Sequence, residues 1–142
     1  CDLRYMAEGA KLATSFSRRG LIAEHGSAWM LPRLIGPMNA ADLLLSGRTV
    51  EAREAERMGL VRVLPADGFL PAVRAVATDL ASNVSPRSMR VIKAQLRSAP
   101  FQSLADATVM ANAEMAKCRD TEDFREGVAS FVEKRPPQFT GR

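Results

Sequence analysis

The chain has 142 residues, 46% of them apolar and 25% charged, the balance of an ordinary folded protein. Its formal charge of +4 and pI near 9.6 favour anionic partners, but Lys and Arg are interleaved with acids and not clustered with aromatics, which argues against nucleic acid. No apolar run approaches a membrane span and the start does not resemble a secretory signal. Cys1 and Cys118 are too few and too far apart for a disulfide framework or a metal knuckle. They read as small buried residues of a cytoplasmic protein.

In chain order, Leu3 to Met6 and Lys11 to Phe16 alternate near a two-residue period and are expected as short strands, with a turn at Glu8-Gly9-Ala10. A short helix is expected from Ser27, carrying Trp29, Met30, Leu31 and Leu34 and ending at Gly36-Pro37. Pro37 and Asn39 open the next helix, with Ala41, Leu44 and Leu45 on its inner face and Gly47 past its end. Thr49 is the expected N-cap of a helix from Val50 to Met58, and Leu60 to Leu64 is β-prone. This alternation belongs to a mixed α/β core.

After Gly68 the pattern is helical only. Leu70, Val73, Ala77 and Leu80 form one stripe. Ser85-Pro86 reads as an N-cap and first helical residue, with Met89, Ile92 and Leu96 behind it. Ser103 and Asp106 form a capping box for a helix lined by Leu104, Ala107, Ala111, Met115 and Cys118. Thr121 caps the last helix, whose expected buried face is Phe124, Val128, Phe131 and Val132 and which Pro136-Pro137 terminates. Arg18, Arg19 and Arg135 read as solvated surface charges.

The stretch with chemical content is Gly20-Leu-Ile-Ala-Glu-His-Gly26 and the helix after it. Gly20 and Gly26 bracket one carboxylate, Glu24. A helix N-terminus would favour its charged form, while Leu21, Ile22 and Trp29 packed over it would favour the neutral one. A carboxyl group balanced between the two can take and return a proton. On residue type alone, however, a glutamate ahead of a helix serves the helix dipole more often than it serves catalysis. His25, the only histidine, has no partners from which to build a metal site.

Three segments in order resemble the enoyl-CoA hydratase/isomerase (crotonase) family: Gly20 to Gly36, Ala41 to Val61, and the C-terminal Glu126-Gly-Val-Ala-Ser-Phe-Val-Glu-Lys-Arg-Pro-Pro-Gln-Phe139. The resemblance implies the second half of a ββα spiral core over residues 1–84. A helical oligomerisation region, making a trimer or a dimer of trimers, would follow over 85–142. It also implies that the chain is the C-terminal portion of a subunit whose earlier part carries the oxyanion donors. Acyl-CoA thioesters are the implied substrates, with coenzyme A as part of the substrate and no separate cofactor or metal.

Hydratases of this family place a glutamate four residues before the glycine matching Gly20, where this chain has Phe16; isomerases place an acid four residues after it, where Glu24 stands. The resemblance therefore favours double-bond isomerisation with Glu24 as acid and base. Hydration using a carboxylate in the earlier part, and a non-catalytic acyl-CoA-binding or assembly fragment, are the alternatives. A related carboxylate is the nucleophile of the family's dehalogenases. Phe131 and Lys134 match positions that line the acyl end and reach coenzyme A, often across subunits. A core Phe and a dipole-complementing Lys explain them equally. Phe16, Leu21 and Trp29 are expected to wall the acyl pocket, although core packing would account for them too.

Overall fold

A computed structural model describes residues 1–142. The chain divides into two compact units, Cys1–Val73 and Arg74–Arg142.

The first unit combines two strand pairs with three helices. Strand β1 (Tyr5–Ala7) runs parallel to β4 (Arg62–Leu64), Tyr5 facing Arg62 and Ala7 facing Leu64. Strand β2 (Lys11–Ala13) runs antiparallel to β3 (Thr49–Glu51), Leu12 facing Val50. Helices α1 (Ser27–Ile35), α2 (Pro37–Ser46) and α3 (Ala52–Arg57) complete it. The mixed α/β character expected from the alternation is present. Two of its local assignments differ.

Thr49 is not a helix cap. Thr49–Glu51 pairs with β2, and the N–H of Ala52 donates to the Ala10 carbonyl at 2.9 Å, so α3 starts after the pairing ends. Val50 is fully buried between two exposed neighbours, the period-two pattern of a half-covered strand. The inner face of α2 is Ala40 and Leu43, whereas Ala41 and Leu45 point to solvent. Positions three apart share a helix face, and the expected face was one residue out of phase.

Ile35, Ala40, Leu43, Val50 and Ala55 form the core, with Met6, Leu12, Leu31, Met58, Leu60 and Val61 packed against it. Leu43 is 1% exposed. Leu43→Ala removes a fully enclosed side chain and should cost about 2–5 kcal/mol in chemical unfolding, from lost transfer energy and the cavity left behind. Arg48 ties α2 to α3. Its guanidinium donates to the Asp42 carboxylate at 2.6 Å and to both Glu54 oxygens. Those hydrogen bonds hold Asp42 and Glu54 below the usual carboxylate range.

Helix α4 (Phe69–Asn83) leads into the second unit, which contains α5 (Pro86–Ser98), α6 (Leu104–Cys118) and α7 (Glu122–Glu133). No helix is long and apolar enough to cross a membrane. The caps are where the sequence puts them. Ser85 accepts from the Ser88 N–H, Ser103 and Asp106 form a reciprocal box, and Thr121 accepts from the Phe124 N–H. The expected buried stripes are not buried. Leu70, Leu96, Leu104 and Met115 are exposed, as are Phe124, Val128, Phe131 and Val132 along α7. The enclosed side chains of α7 are polar, Asp123 and Ser130. Cys1 is also exposed, and Cys118 is half-buried, accepting from Arg87 Nη1 at 3.2 Å.

Asp123 and Glu126 hold the C-terminal residues against α7. Burial pushes the Asp123 carboxyl up, but donation from the Ser85 hydroxyl and from the Thr140 and Gly141 N–H groups outweighs it and leaves the group below its ordinary value. Hydrogen bonds from Arg135, reinforced by the Gln138 N–H, lower Glu126 to about 2. Depressed carboxyl groups contribute stability that is complete above their unfolded values, near pH 4–5, and lost as pH falls through the folded ones. Thermal unfolding should therefore give a level Tm down to about pH 5 and a declining one towards pH 2, with Glu126→Gln flattening the lower part of that decline.

Candidate active site

The loop between β2 and α1 contains one carboxylate, Glu24, the only acid between Glu8 and Asp42. Its path is set by tight turns at both ends. The turn Ser17–Arg19 closes on Gly20, whose φ of 70° lies in the left-handed region that glycine adopts without penalty. The Leu21 N–H donates back to the Phe16 carbonyl at 2.9 Å, bringing two of the expected pocket residues together through the backbone.

After Glu24 come two consecutive left-handed residues, His25 (φ 54°) and Gly26 (φ 72°). Histidine tolerates this region better than most side chains, at some cost in strain, and such strain gathers at functional sites. The reversal brings the Glu24 carbonyl over the start of α1, where it accepts from the Ser27 N–H at 2.9 Å and the Ser27 hydroxyl at 2.7 Å. No side chain caps α1. The backbone of Glu24, not its carboxylate, is therefore engaged with the helix start.

The carboxylate stays accessible. The Glu24 side chain is 43% exposed, and its nearest polar side chain is the His25 imidazole, with Nε2 at 3.5 Å. The apolar cover expected over it is not closed within this chain, since Leu21 and Trp29 are about half exposed and Ile22 is 82% exposed. Trp29 is held in place by Arg33, one helical turn on. The guanidinium lies 3.9 Å from the indole centroid, and Nη1 donates to the Trp29 carbonyl at 2.8 Å. The i, i+4 spacing of Trp29 and Arg33 was the available signal for this stack.

The C-terminus of α2 anchors the loop. Thr14 Oγ1 donates to the Leu43 carbonyl and Arg18 Nε to the Ser46 carbonyl, both at 2.7 Å. The Ser46 carbonyl is one that a helix end leaves without an intrahelical partner, whereas the Leu43 carbonyl also accepts from the Gly47 N–H at 3.0 Å. Arg18, expected as a free surface charge, is thus a contact. Gly47 is the expected left-handed cap of α2, and it has a second role: a Cβ there would sit 2.9 Å from Ser17 Oγ and 3.1 Å from Arg18 Cγ. The loop that leads to Glu24 packs closely on α2 at position 47, where a side chain would crowd those of Ser17 and Arg18. No local sequence signal pairs residue 47 with residue 17.

Phe131 and Lys134 belong to the other unit. Phe131 is 85% exposed and borders an apolar groove with Phe124, Val128 and Phe139. Lys134 is the exposed C-cap of α7.

These placements can be compared with known proteins. The family model described as enoyl-CoA hydratase/isomerase matches residues 1–142. The chain belongs to the enoyl-CoA hydratase/isomerase family. A protein of Mycobacterium bovis named a probable enoyl-CoA hydratase is 41% identical over 143 residues, covering 100% of this chain and 55% of that protein. The 1,2-epoxyphenylacetyl-CoA isomerase of Escherichia coli K12 is 31% identical, with 99% and 54% covered. Among solved structures, a probable enoyl-CoA hydratase/isomerase from Mycobacterium abscessus superposes with a TM-score of 0.94 at 34% identity, covering 100% of this chain and 56% of that one. The α/β fold is therefore that of solved family members. The chain spans about half the length of the relatives it matches.

Proposed function

We propose that the protein at its natural length is an acyl-CoA enzyme of this family that isomerises enoyl-CoA double bonds, with Glu24 as the single acid and base. One observation carries the choice. Glu24 is the only carboxylate between Glu8 and Asp42, and Phe16, which cannot carry a proton, occupies the position where the family's hydratases are expected to hold a glutamate. The Glu24 carboxylate takes a proton from C2 of a 3-enoyl-CoA. The electron pair moves towards the thioester oxygen and the conjugated C4, and the same carboxyl group returns the proton to C4, leaving the 2-enoyl thioester. Donors aimed at the developing oxyanion contribute about 2.7–4 kcal/mol each in acyl-transfer sites. The resemblance assigns them to the part of the family length that these residues do not span. Phe16, Leu21 and Trp29 are read as walls of the acyl pocket, and Phe131 and Lys134 as contacts to the acyl end and to coenzyme A. The helices after residue 85 are read as a trimer-forming region, and the protein as cytoplasmic.

The relatives' names favour a second reading, hydration, because the Mycobacterium bovis protein is named a hydratase. Parallel assays separate the two. Conversion of a 3-enoyl-CoA to its 2-enoyl isomer should exceed hydration of crotonyl-CoA. Comparable hydration would favour a carboxylate elsewhere in the protein, and no turnover of either would favour a binding or assembly role.

A further inference from the structure

Lys134 is not glycine, yet it closes α7 in the left-handed region, with φ 54° and ψ 41°. For a residue with a Cβ this conformation is strained and persists where its surroundings over-determine it. Two backbone hydrogen bonds close the turn, from the Lys134 N–H to the Phe131 carbonyl at 3.4 Å and from the Arg135 N–H to the Ser130 carbonyl at 3.1 Å. The next side chain locks it. Arg135 chelates the Glu126 carboxylate through Nη1 and Nη2, at 2.5 and 2.9 Å, and donates through Nε to Glu133 at 2.6 Å. Glu126 also accepts from the Gln138 N–H at 2.7 Å. The chain after the turn is thereby folded back along α7, where the Phe139 ring lies over Gly127, 3.7 Å from where a Cβ would stand.

We infer that Glu126 and Arg135 are positioning residues: their forked ion pair holds Lys134 in its left-handed turn and so fixes where its ammonium meets the phosphate-bearing end of a coenzyme A thioester. This rests on the reading of Lys134 as a coenzyme A contact. Arginine suits the role because its planar fork grips both carboxylate oxygens, whereas lysine offers a single point charge. An ammonium near a phosphate at an exposed site is a modest contact, so its loss is felt in substrate affinity and not in the chemical step.

The test uses the natural-length protein and two substrates with the same acyl group, one a coenzyme A thioester and the other a pantetheine thioester that lacks the nucleotide phosphates. Lys134→Ala, Glu126→Gln and Arg135→Lys should each raise KM for the coenzyme A thioester about two- to fivefold, the size of one exposed charge contact. They should leave kcat and the pantetheine thioester unaffected. Glu126→Gln is isosteric and keeps an acceptor for the Gln138 N–H, and Arg135→Lys keeps the charge, so neither is expected to unfold the tail. The double variant Lys134→Ala/Glu126→Gln should match Lys134→Ala alone. If Lys134→Ala raises KM while Glu126→Gln and Arg135→Lys do not, the clamp is overturned and the reading of Lys134 stands. If Lys134→Ala changes nothing, that reading falls and the clamp's role falls with it.

Discussion

Glu24→Gln in the natural-length protein is expected to lower kcat for 3-enoyl-CoA isomerisation by about 10²–10⁴-fold, the range that a positioned general acid–base supplies. KM should change little, because an amide fills the same volume and the change acts on the proton-transfer step. The variant should fold normally. The Glu24 side chain is 43% exposed beside the His25 imidazole, and the loop is shaped by backbone contacts of residue 24. Surface substitutions of this kind shift stability by less than about 0.5 kcal/mol. A loss of activity with unchanged Tm therefore reports on chemistry. A variant that keeps its rate would remove Glu24 from the mechanism.

The second large effect is expected at Gly47, outside the loop. Gly47→Ala combines two penalties. The residue has φ 57°, a conformation that costs an L-amino acid about 1–2 kcal/mol. The new methyl would also sit 2.9 Å from Ser17 Oγ and 3.1 Å from Arg18 Cγ. Together they should destabilise the protein by about 1–3 kcal/mol in denaturant unfolding. Rotation of the Ser17 hydroxyl relieves the nearest contact, but the crowding at Arg18 Cγ strains the side chain that donates to the Ser46 carbonyl and, through it, the segment leading to Glu24. Catalysis should thus fall by more than the unfolded fraction explains. A variant with full specific activity after correction for folding would show that the loop does not depend on this seat.

What could be read in the sequence was what short-range chemistry decides. The caps Ser85, Ser103 and Thr121 and the helix-ending Gly47 are present as expected, because each depends on neighbours within a turn. The errors fall where a distant partner decides. Thr49–Glu51 carries helix-cap chemistry, but pairing with Lys11–Ala13 draws it into a strand. The apolar faces of α6 and α7 have helical spacing, but nothing in their own unit covers Leu104, Phe131 or Val132. Spacing identifies a face, not what it packs against. The carboxylate of the candidate site was visible as a residue between two glycines. Its assignment to proton transfer came from the family resemblance, and its anchorage on α2 through Thr14, Arg18 and Gly47 joins positions about thirty residues apart.

Removal of a proton beside the thioester by one carboxylate can be measured apart from isomerisation and hydration. Butyryl-CoA has protons at C2 but no double bond to shift or hydrate, so the enzyme can only exchange them. Incubated in D2O and followed by proton NMR, the natural-length protein should wash out the C2 signal, and Glu24→Gln should slow that exchange by at least about 10²-fold. Equal exchange by the two proteins would place the base elsewhere and contradict the account.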